Sequence, residues 1–397
     1  MSRSQLSAAT AVLAAATLLL TAGCSSGDGD GDSPRKGTAS GPSASRTPSG
    51  KPSGKAPAEK GSVEVTKTLA KGLKSPWGLA PLPGGDLLVS SRDEGTITRI
   101  DGESGATSQV GSVPGVAPGG EGGLLGIALS PSYASDHMVY AYFTTESDNR
   151  IARMIYDEKK PAGQQLGAPD TVFKGIPKGM IHNGGRIAFG PDKMLYAGAG
   201  ETGDRGLAQD KKSLGGKILR LTPDGEPAPG NPFGDDSPVY SYGHRNVQGL
   251  AWDEQKRLWA SEFGQDTWDE LNQIKAGDNY GWPEVEGKGE GDGGEGAEGF
   301  HAPVAQWKTS DASPSGVAYA EGSVWMAGLR GERLWRIPVR GVEPGKAEPQ
   351  DFLKGKYGRL RTVVAAGGDK LWLVTSETDS RGTPEKGDDR VLELKVK

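Results

Sequence analysis

The sequence predicts an all-β fold, a six-bladed β-propeller of four-stranded antiparallel blades. Three observations predict it. From about residue 62 onward, short alternating segments are separated by Gly, Pro, Asp and Asn turns, and no long stretch holds a helical period. These segments recur as a set six times. One further strand-like segment, SVEVTKTLA, precedes the first set and can pair with the last, closing the ring and hiding a sheet edge. A β-sandwich array is the rival fold, but here the repeat recurs as one longer unit of several strands, which suits propeller blades.

The units follow in order. The first reads SPWGLAPLPGGDLLVSSRDEGTITRID (75–101), and the second LLGIALSPSYASDHMVYAYFTTESDNRIARMIYD (124–157). The third opens with GGRIAFGPDKMLYAGAGETGD and finishes at GGKILRLTPDG (184–225); the fourth is VQGLAWDEQKRLWASEFGQDTWDELNQI (247–274). The fifth is PSGVAYAEGSVWMAGLRGERLWRIPV (314–339), and the sixth runs from LRTVVAAGGDKLWLVTSETDSRG to DRVLELKV (360–396). Each opens on a Gly-apolar-Ala-like strand, turns tightly into a second apolar strand, and ends in one such as ITRI, ILRL or LWRI. In a propeller, the loops on one face converge on a central channel, so a site there draws one or two residues from each blade.

Composition bounds the rest. The 397 residues include 63 glycines, 27 prolines and a single cysteine, which excludes an intrachain disulfide framework. A formal net charge of −5 with no clustered Lys/Arg face gives no footprint for nucleic acid. Residues 1–23 read as a targeting segment: Arg3, an apolar run over 7–20 too short for a confident span, then LTAGCSS. Small residues followed by Cys24 resemble a bacterial lipoprotein signal, with Cys24 as the acylated mature N-terminus; ordinary secretion is the alternative. Residues 24–61 are Gly, Ser, Pro, Lys and Asp with almost no large apolar side chain, and read as a tether to the folded domain at 62–397. The expected location is the outer face of the cytoplasmic membrane, with the lipid as the only membrane contact.

Candidate site residues sit at the strand mouths. His182, one of four histidines, lies just ahead of GRIAF, and Glu201 closes the next strand. Histidine suits general-base work near neutral pH, and a carboxylate beside it can fix its tautomer. A turn histidine bonded to backbone is the alternative, and the residues leave both open. Arg245 and Asn246, in YGHRNVQG, precede the fourth inner strand, where a guanidinium suits a carboxylate or oxyanion; His244 points the other way in an extended segment and reads as structural. The loop SEFGQDTWDELNQI offers oxygen ligands for Ca²⁺, or is a solvated turn. Glu121, Gln209, Arg330, Arg359 and Arg361 complete the set, and Arg359 and Arg361 share one strand face. Four arginines focused on one channel point to a polyanionic ligand.

Together, GGLLGIALSP, HNGGRIAFGPD, LGGKILRLTPDG, YGHRNVQGLAWD, DELNQIKAGDNYGWPEV and LRGERLWRI resemble the soluble aldose sugar dehydrogenases that depend on pyrroloquinoline quinone (PQQ). These belong with the glucose/sorbosone dehydrogenases, and the similarity runs over residues 75–396. The resemblance implies a six-bladed propeller that oxidises aldoses to lactones with PQQ and Ca²⁺. It makes His182 the base that takes the sugar hydroxyl proton as hydride passes to the quinone, with Glu201 orienting it. Arg245 and Asn246 would contact the cofactor, with Arg245 near its reactive carbonyl, and Arg330, Arg359 and Arg361 would hold it. The backbone carbonyls of Gly264 and Gln265 would bind Ca²⁺, and Glu121 and Gln209 would lie near the sugar.

Two positions depart from that pattern. Glu201 stands where the family usually has Asp, so the imidazole can sit differently, and Glu121 stands where it often has Gln, adding a negative charge. Long insertions that build a sugar-specific, dimer-forming surface are not evident, so loose aldose specificity and a monomer are expected. The acidic, Gly-rich stretch 286–300 reads as a mobile rim loop rather than part of a site. Two other functions stay open: a Ca²⁺-dependent lactonase, which needs metal-ligating carboxylates at the channel, and a non-catalytic sugar- or protein-binding surface module. The sequence names neither the sugar nor the electron acceptor.

Overall fold

The structure is a computed structural model, and it describes residues 57–289, 298–341 and 347–397. The targeting segment, Cys24 and almost all of the tether lie outside the described residues. What is described is six four-stranded antiparallel sheets, as the repeat predicts.

Blade 1 is β2 (Pro76–Pro81), β3 (Leu87–Ser91), β4 (Thr96–Ile100) and β5 (Thr107–Ser112). Blade 2 is β6 (Leu124–Leu129), β7 (Met138–Thr144), β8 (Asn149–Ile155) and β9 (Asp170–Ile176), with a one-turn helix α1 (Tyr133–Asp136) between β6 and β7. Blade 3 is β10 (Ile187–Phe189), β11 (Leu195–Ala199), β12 (Lys217–Leu221) and β13 (Val239–Tyr242). Blade 4 is β14 (Val247–Trp252), β15 (Leu258–Glu262), β16 (Trp268–Ile274) and β17 (Ala305–Lys308). Blade 5 is β18 (Pro314–Ala320), β19 (Ser323–Gly328), β20 (Arg333–Pro338) and β21 (Gln350–Phe352).

Blade 6 takes β22 (Leu360–Gly367), β23 (Lys370–Thr375) and β24 (Val391–Val396) from the end of the chain, and β1 (Val63–Ala70) from its start. β1 runs antiparallel to β24, with Val63 opposite Val396 and Ala70 opposite Val391. The segment SVEVTKTLA therefore closes the ring through hydrogen bonds between the two ends of the folded region.

The second strands are buried along their whole length, as in β11, β15 and β19, because each blade is covered by a neighbour on both faces. The fourth strands carry a weaker pattern. β9 is mostly exposed and β21 is three residues long, and such outer strands give little apolar signal to the sequence. Six apolar clusters fill the interior, each joining adjacent blades; Leu88, Val110 and Phe143, for example, tie blade 1 to blade 2.

Close approach explains the recurring Gly-apolar-Ala opening. A Cβ on Gly126 would stand 2.3 Å from the Gly185 carbonyl oxygen of the next blade, and one on Gly78 would stand 2.7 Å from that of Leu125. The inner strands meet backbone to backbone around the channel, and a side chain there would push blades apart.

Candidate active site

In an antiparallel blade, the start of the inner strand and the end of the second strand lie at the same mouth of the channel. The segments before β14 and β22 and those after β3, β15 and β19 accordingly meet around a cavity of about 410 Å³. Six arginines line it (Arg92, Arg245, Arg330, Arg359, Arg361 and Arg381) against three carboxylates (Glu121, Asp269 and Asp379). The wall therefore carries an excess of three positive charges. At the opposite mouth the channel is lined mainly by apolar side chains of the inner strands. Between the two, the buried Arg186 stacks over Trp77 at 4.3 Å, and Arg361 lies 5.8 Å from the same ring. Burial, and then the charge of Arg361, lower the Arg186 guanidinium to about 9.

His182 stands at the edge of this cavity, ahead of β10 and only 9% exposed. Its backbone is left-handed, at φ 53°, a conformation that costs a non-glycine residue about 1–3 kcal/mol and persists only where its surroundings hold it. They do: its N–H donates to Glu121 Oε2 at 2.8 Å, and its carbonyl accepts from the Thr202 N–H. The ring Nδ1 lies 2.6 Å from Glu201 Oε1, and Glu201 Oε2 accepts the Gly203 N–H. A carboxylate only accepts, so in the neutral ring Nδ1 carries the hydrogen and Nε2 the lone pair. No described residue bonds Nε2, which is what a base facing a substrate needs. The longer Glu201 side chain thus makes the contact expected of an orienting carboxylate.

Two of the cations share one carboxylate. Arg359 Nη2 and Arg361 Nη2 converge on Asp379 Oδ2 at 3.0 and 2.8 Å. Burial raises the Asp379 carboxyl, but Arg361 and Arg359 outweigh it and hold it down at about 2. Arg361 itself is lowered to about 10, first by burial and then by Arg92 and Arg359, while Asp379 opposes the shift. Arg245 is lowered by burial against the pull of Glu201 and Glu262; its Nε is buried without a partner and its guanidinium lies 5.5 Å from the Trp282 ring. Asn246 anchors Oδ1 on the Gly184 N–H at 2.9 Å, and its amide NH₂ bonds no described residue. Arg330 is exposed and unpaired among the described residues, and Glu121 is bridged to Arg381 at 2.8 Å.

Phe263, Gly264 and Gln265, just past β15, bring backbone to the cavity wall. The Gly264 N–H donates to Asp269 Oδ1 at 2.9 Å and the Gln265 N–H to Glu286 Oε1 at 2.8 Å. The Gly264 and Gln265 carbonyl oxygens accept no hydrogen bond from any described residue. A Cβ on Gly264 would lie 1.9 Å from the Trp268 carbonyl oxygen, so only glycine closes this loop.

The sequence model of the Glucose / Sorbosone dehydrogenase family matches residues 73–383, which is most of the chain. The chain belongs to this family. It is 76% identical to the aldose sugar dehydrogenase of Streptomyces coelicolor, solved in a PQQ-bound form, with a TM-score of 0.83, covering 86% of this chain and 100% of that one. It is 32% identical over 341 residues to the aldose sugar dehydrogenase YliI of Escherichia coli, covering 79% of this chain and 90% of the relative. With quinoprotein glucose dehydrogenase B of Acinetobacter calcoaceticus it shares 30% identity over 289 residues, covering 64% of this chain and 59% of that relative's length.

Within this member of the family, nine of the residues picked out in the sequence line the one cavity: Glu121, His182, Arg245, Asn246, Gly264, Gln265, Arg330, Arg359 and Arg361. Glu201 lies behind His182. Gln209 is not on the wall: its amide is tied to Asn279 Oδ1 and the Trp282 carbonyl, so it braces the rim. His244 is fully buried, bonding Ser241 and Glu262, in keeping with a structural role. The reading of 286–300 as rim loop fails at its first residue, since Glu286 accepts hydrogen bonds from the loop after β15; residues 290–297 lie outside the described ones. Sequence reasoning missed Arg92, Asp269, Asp379 and Arg381. The signal was available for two of them, because Arg92 and Asp379 follow the second strands of their blades, as Glu201 does.

Proposed function

We propose that this protein oxidises aldoses to lactones using PQQ and Ca²⁺, with His182 as the base. The observation that carries the reading is the cavity itself: an imidazole with a free Nε2 at its edge, and an excess of three positive charges on its wall. PQQ carries three carboxylates, so the charges match, and the unpartnered Arg245 Nε and the unpaired Arg330 are donors in want of an acceptor. When bound, PQQ supplies the acceptor for the hydride. A cation on the Gly264 and Gln265 carbonyls would act as a Lewis acid toward the accepting group.

The residues of the chain do the rest. His182 Nε2 takes the proton of the anomeric hydroxyl as the C1 hydrogen leaves with its electron pair, and the C1–O bond becomes the lactone carbonyl. Glu201 holds the ring with Nε2 toward the cavity and faces the charge the ring acquires. Arg245, Arg359 and Arg361 would hold an anionic cofactor through their guanidinium groups, and Asp379 sets the last two in place before binding. Cys24 would carry the lipid that keeps the enzyme at the outer face of the cytoplasmic membrane.

The lactonase alternative needs a carboxylate cage, and among the described residues no group of three or more His, Cys, Asp or Glu is placed to hold a metal. The test is reconstitution of the purified chain with PQQ and CaCl₂, followed by aldoses and a reducible dye. PQQ absorbance changes on titration and dye reduction are expected. Neither PQQ binding nor dye reduction, or lactone hydrolysis with metal alone, would overturn the reading.

A further inference from the structure

Glu286 makes an uncommon set of contacts. Its Oε1 accepts from four consecutive backbone amides, those of Gln265, Asp266, Thr267 and Trp268, at 2.8, 3.1, 3.0 and 3.0 Å. Successive amides closing on one anion form a nest, and each hydrogen bond is strengthened by the carboxylate charge. Asp269 takes the amide before them, that of Gly264, and its Oδ2 accepts the Ser313 N–H of the next blade at 2.6 Å. Two carboxylates therefore collect every N–H from Gly264 to Trp268.

Peptide planarity gives this arrangement a consequence. In a trans peptide unit the N–H of one residue and the C=O of the residue before it point in opposite directions. Drawing the Gln265 and Asp266 amides onto Glu286 turns the Gly264 and Gln265 carbonyls away from it, and both residues line the cavity. The carboxylate behind the loop also polarises these peptide units, making their carbonyl oxygens more negative. The backbone just after Glu286 is itself held: the Gly287 N–H donates to Glu270 Oε1 at 2.7 Å, and the Lys288 N–H to Gln306 Oε1 at 2.8 Å.

We propose that Glu286 is a positioning residue for the divalent cation, organising the 264–268 loop so that the carbonyls of Gly264 and Gln265 form its ligands. Glu286 touches neither cation nor sugar and acts only through the loop. The inference rests on the calcium reading above, and the experiment separates the two.

Calcium binding is measured by titration calorimetry with CaCl₂ on the chain prepared without PQQ, alongside the rise in Tm that calcium causes. Glu286→Gln keeps the shape and removes the charge; it is expected to weaken calcium about 10- to 100-fold, the range for residues that orient metal ligands, and to shrink the calcium-dependent rise in Tm. Glu284→Gln, an exposed change in the same segment, should bind as wild type does. Glu286→Asp, which keeps the charge but withdraws the oxygen, should fall between and serves if Glu286→Gln does not fold. Wild-type binding matched within twofold by a folded Glu286 variant overturns this inference alone. An absence of calcium binding by wild type overturns the calcium reading, and this inference with it.

Discussion

Replacing Glu201 by Gln tests the base most directly. The carboxylate meets His182 Nδ1 at 2.6 Å through one oxygen and the Gly203 N–H through the other, so both oxygens accept. An amide cannot reproduce this. With its oxygen toward Gly203, its NH₂ faces Nδ1, the ring proton moves to Nε2, and the lone pair facing the cavity is lost. With its NH₂ toward Gly203, two donors confront each other in a buried site. The charge that offsets a protonated ring is lost in either case. For charge centres about 4 Å apart at an effective dielectric of about 20, that is worth about 4 kcal/mol. At 1.36 kcal/mol per factor of ten, kcat should fall by about three powers of ten. The assay is steady-state dye reduction by protein reconstituted with PQQ and Ca²⁺, with PQQ affinity from absorbance titration as the control. PQQ affinity should stay within about threefold, because the cationic wall is untouched. A Glu201→Gln enzyme with kcat within threefold of wild type would refute an orienting role for this carboxylate.

His182→Ala should abolish dye reduction while PQQ binding survives, since the cations that would hold the cofactor belong to other blades; equal loss of both would make His182 a structural residue. Asp379→Asn tests the arginine clamp through pH. Its carboxyl, held at about 2 against an ordinary 3.8, stabilises the fold at pH values above its unfolded pKa. That contribution, about 2 kcal/mol at 1.36 kcal/mol per unit, is lost as pH falls from about 4 through about 2. The variant should melt a few degrees lower at pH 7 and lose less stability than wild type between pH 4 and 2, as read by calorimetry; parallel acid-unfolding curves would refute the clamp. Cys24→Ser should move the full-length protein from the membrane fraction to the soluble one, and retention in the membrane fraction would show that the lipid is not the anchor.

The architecture was legible in the sequence because each blade repeats the same local solution: a glycine-bearing inner strand, a tight turn and a strand buried on both faces. The outer strands β5, β9 and β21 left little trace, since a strand facing solvent needs no apolar alternation. Site residues were legible where they recur at the mouth of an inner strand, as His182, Arg245 and Arg359 do. Glu286 and Arg381 were not, because their roles arise from partners outside the repeated strand mouths, and Glu286 serves the loop after β15 about 20 residues back. Arg381 reaches Glu121 across 260 residues of sequence. Gln209 shows the opposite error, where a polar residue near the mouth spends its amide on Asn279 and Trp282.

Two histidine–carboxylate pairs in adjacent blades show why position in the repeat does not by itself assign chemistry. His182 meets Glu201 at the end of β11, and His244 meets Glu262 at the end of β15, each through Nδ1 and at 2.6 and 2.8 Å. The carboxylates also serve the backbone alike: Glu201 takes the Gly203 N–H, and Glu262 the Arg245 N–H. What separates them is the second ring nitrogen. His244 Nε2 is bonded to Ser241 Oγ at 2.8 Å, and its ring stacks on Tyr280 at 4.7 Å, wholly buried. That ring has no nitrogen left for a substrate, and its carboxylate fixes the backbone from which Arg245 reaches the cavity. His182 has no Ser241 and no Tyr280, and no described residue bonds its Nε2. The same repeated contact thus positions a cation in one blade and exposes a base in the next, and what fills the remaining nitrogen decides between them.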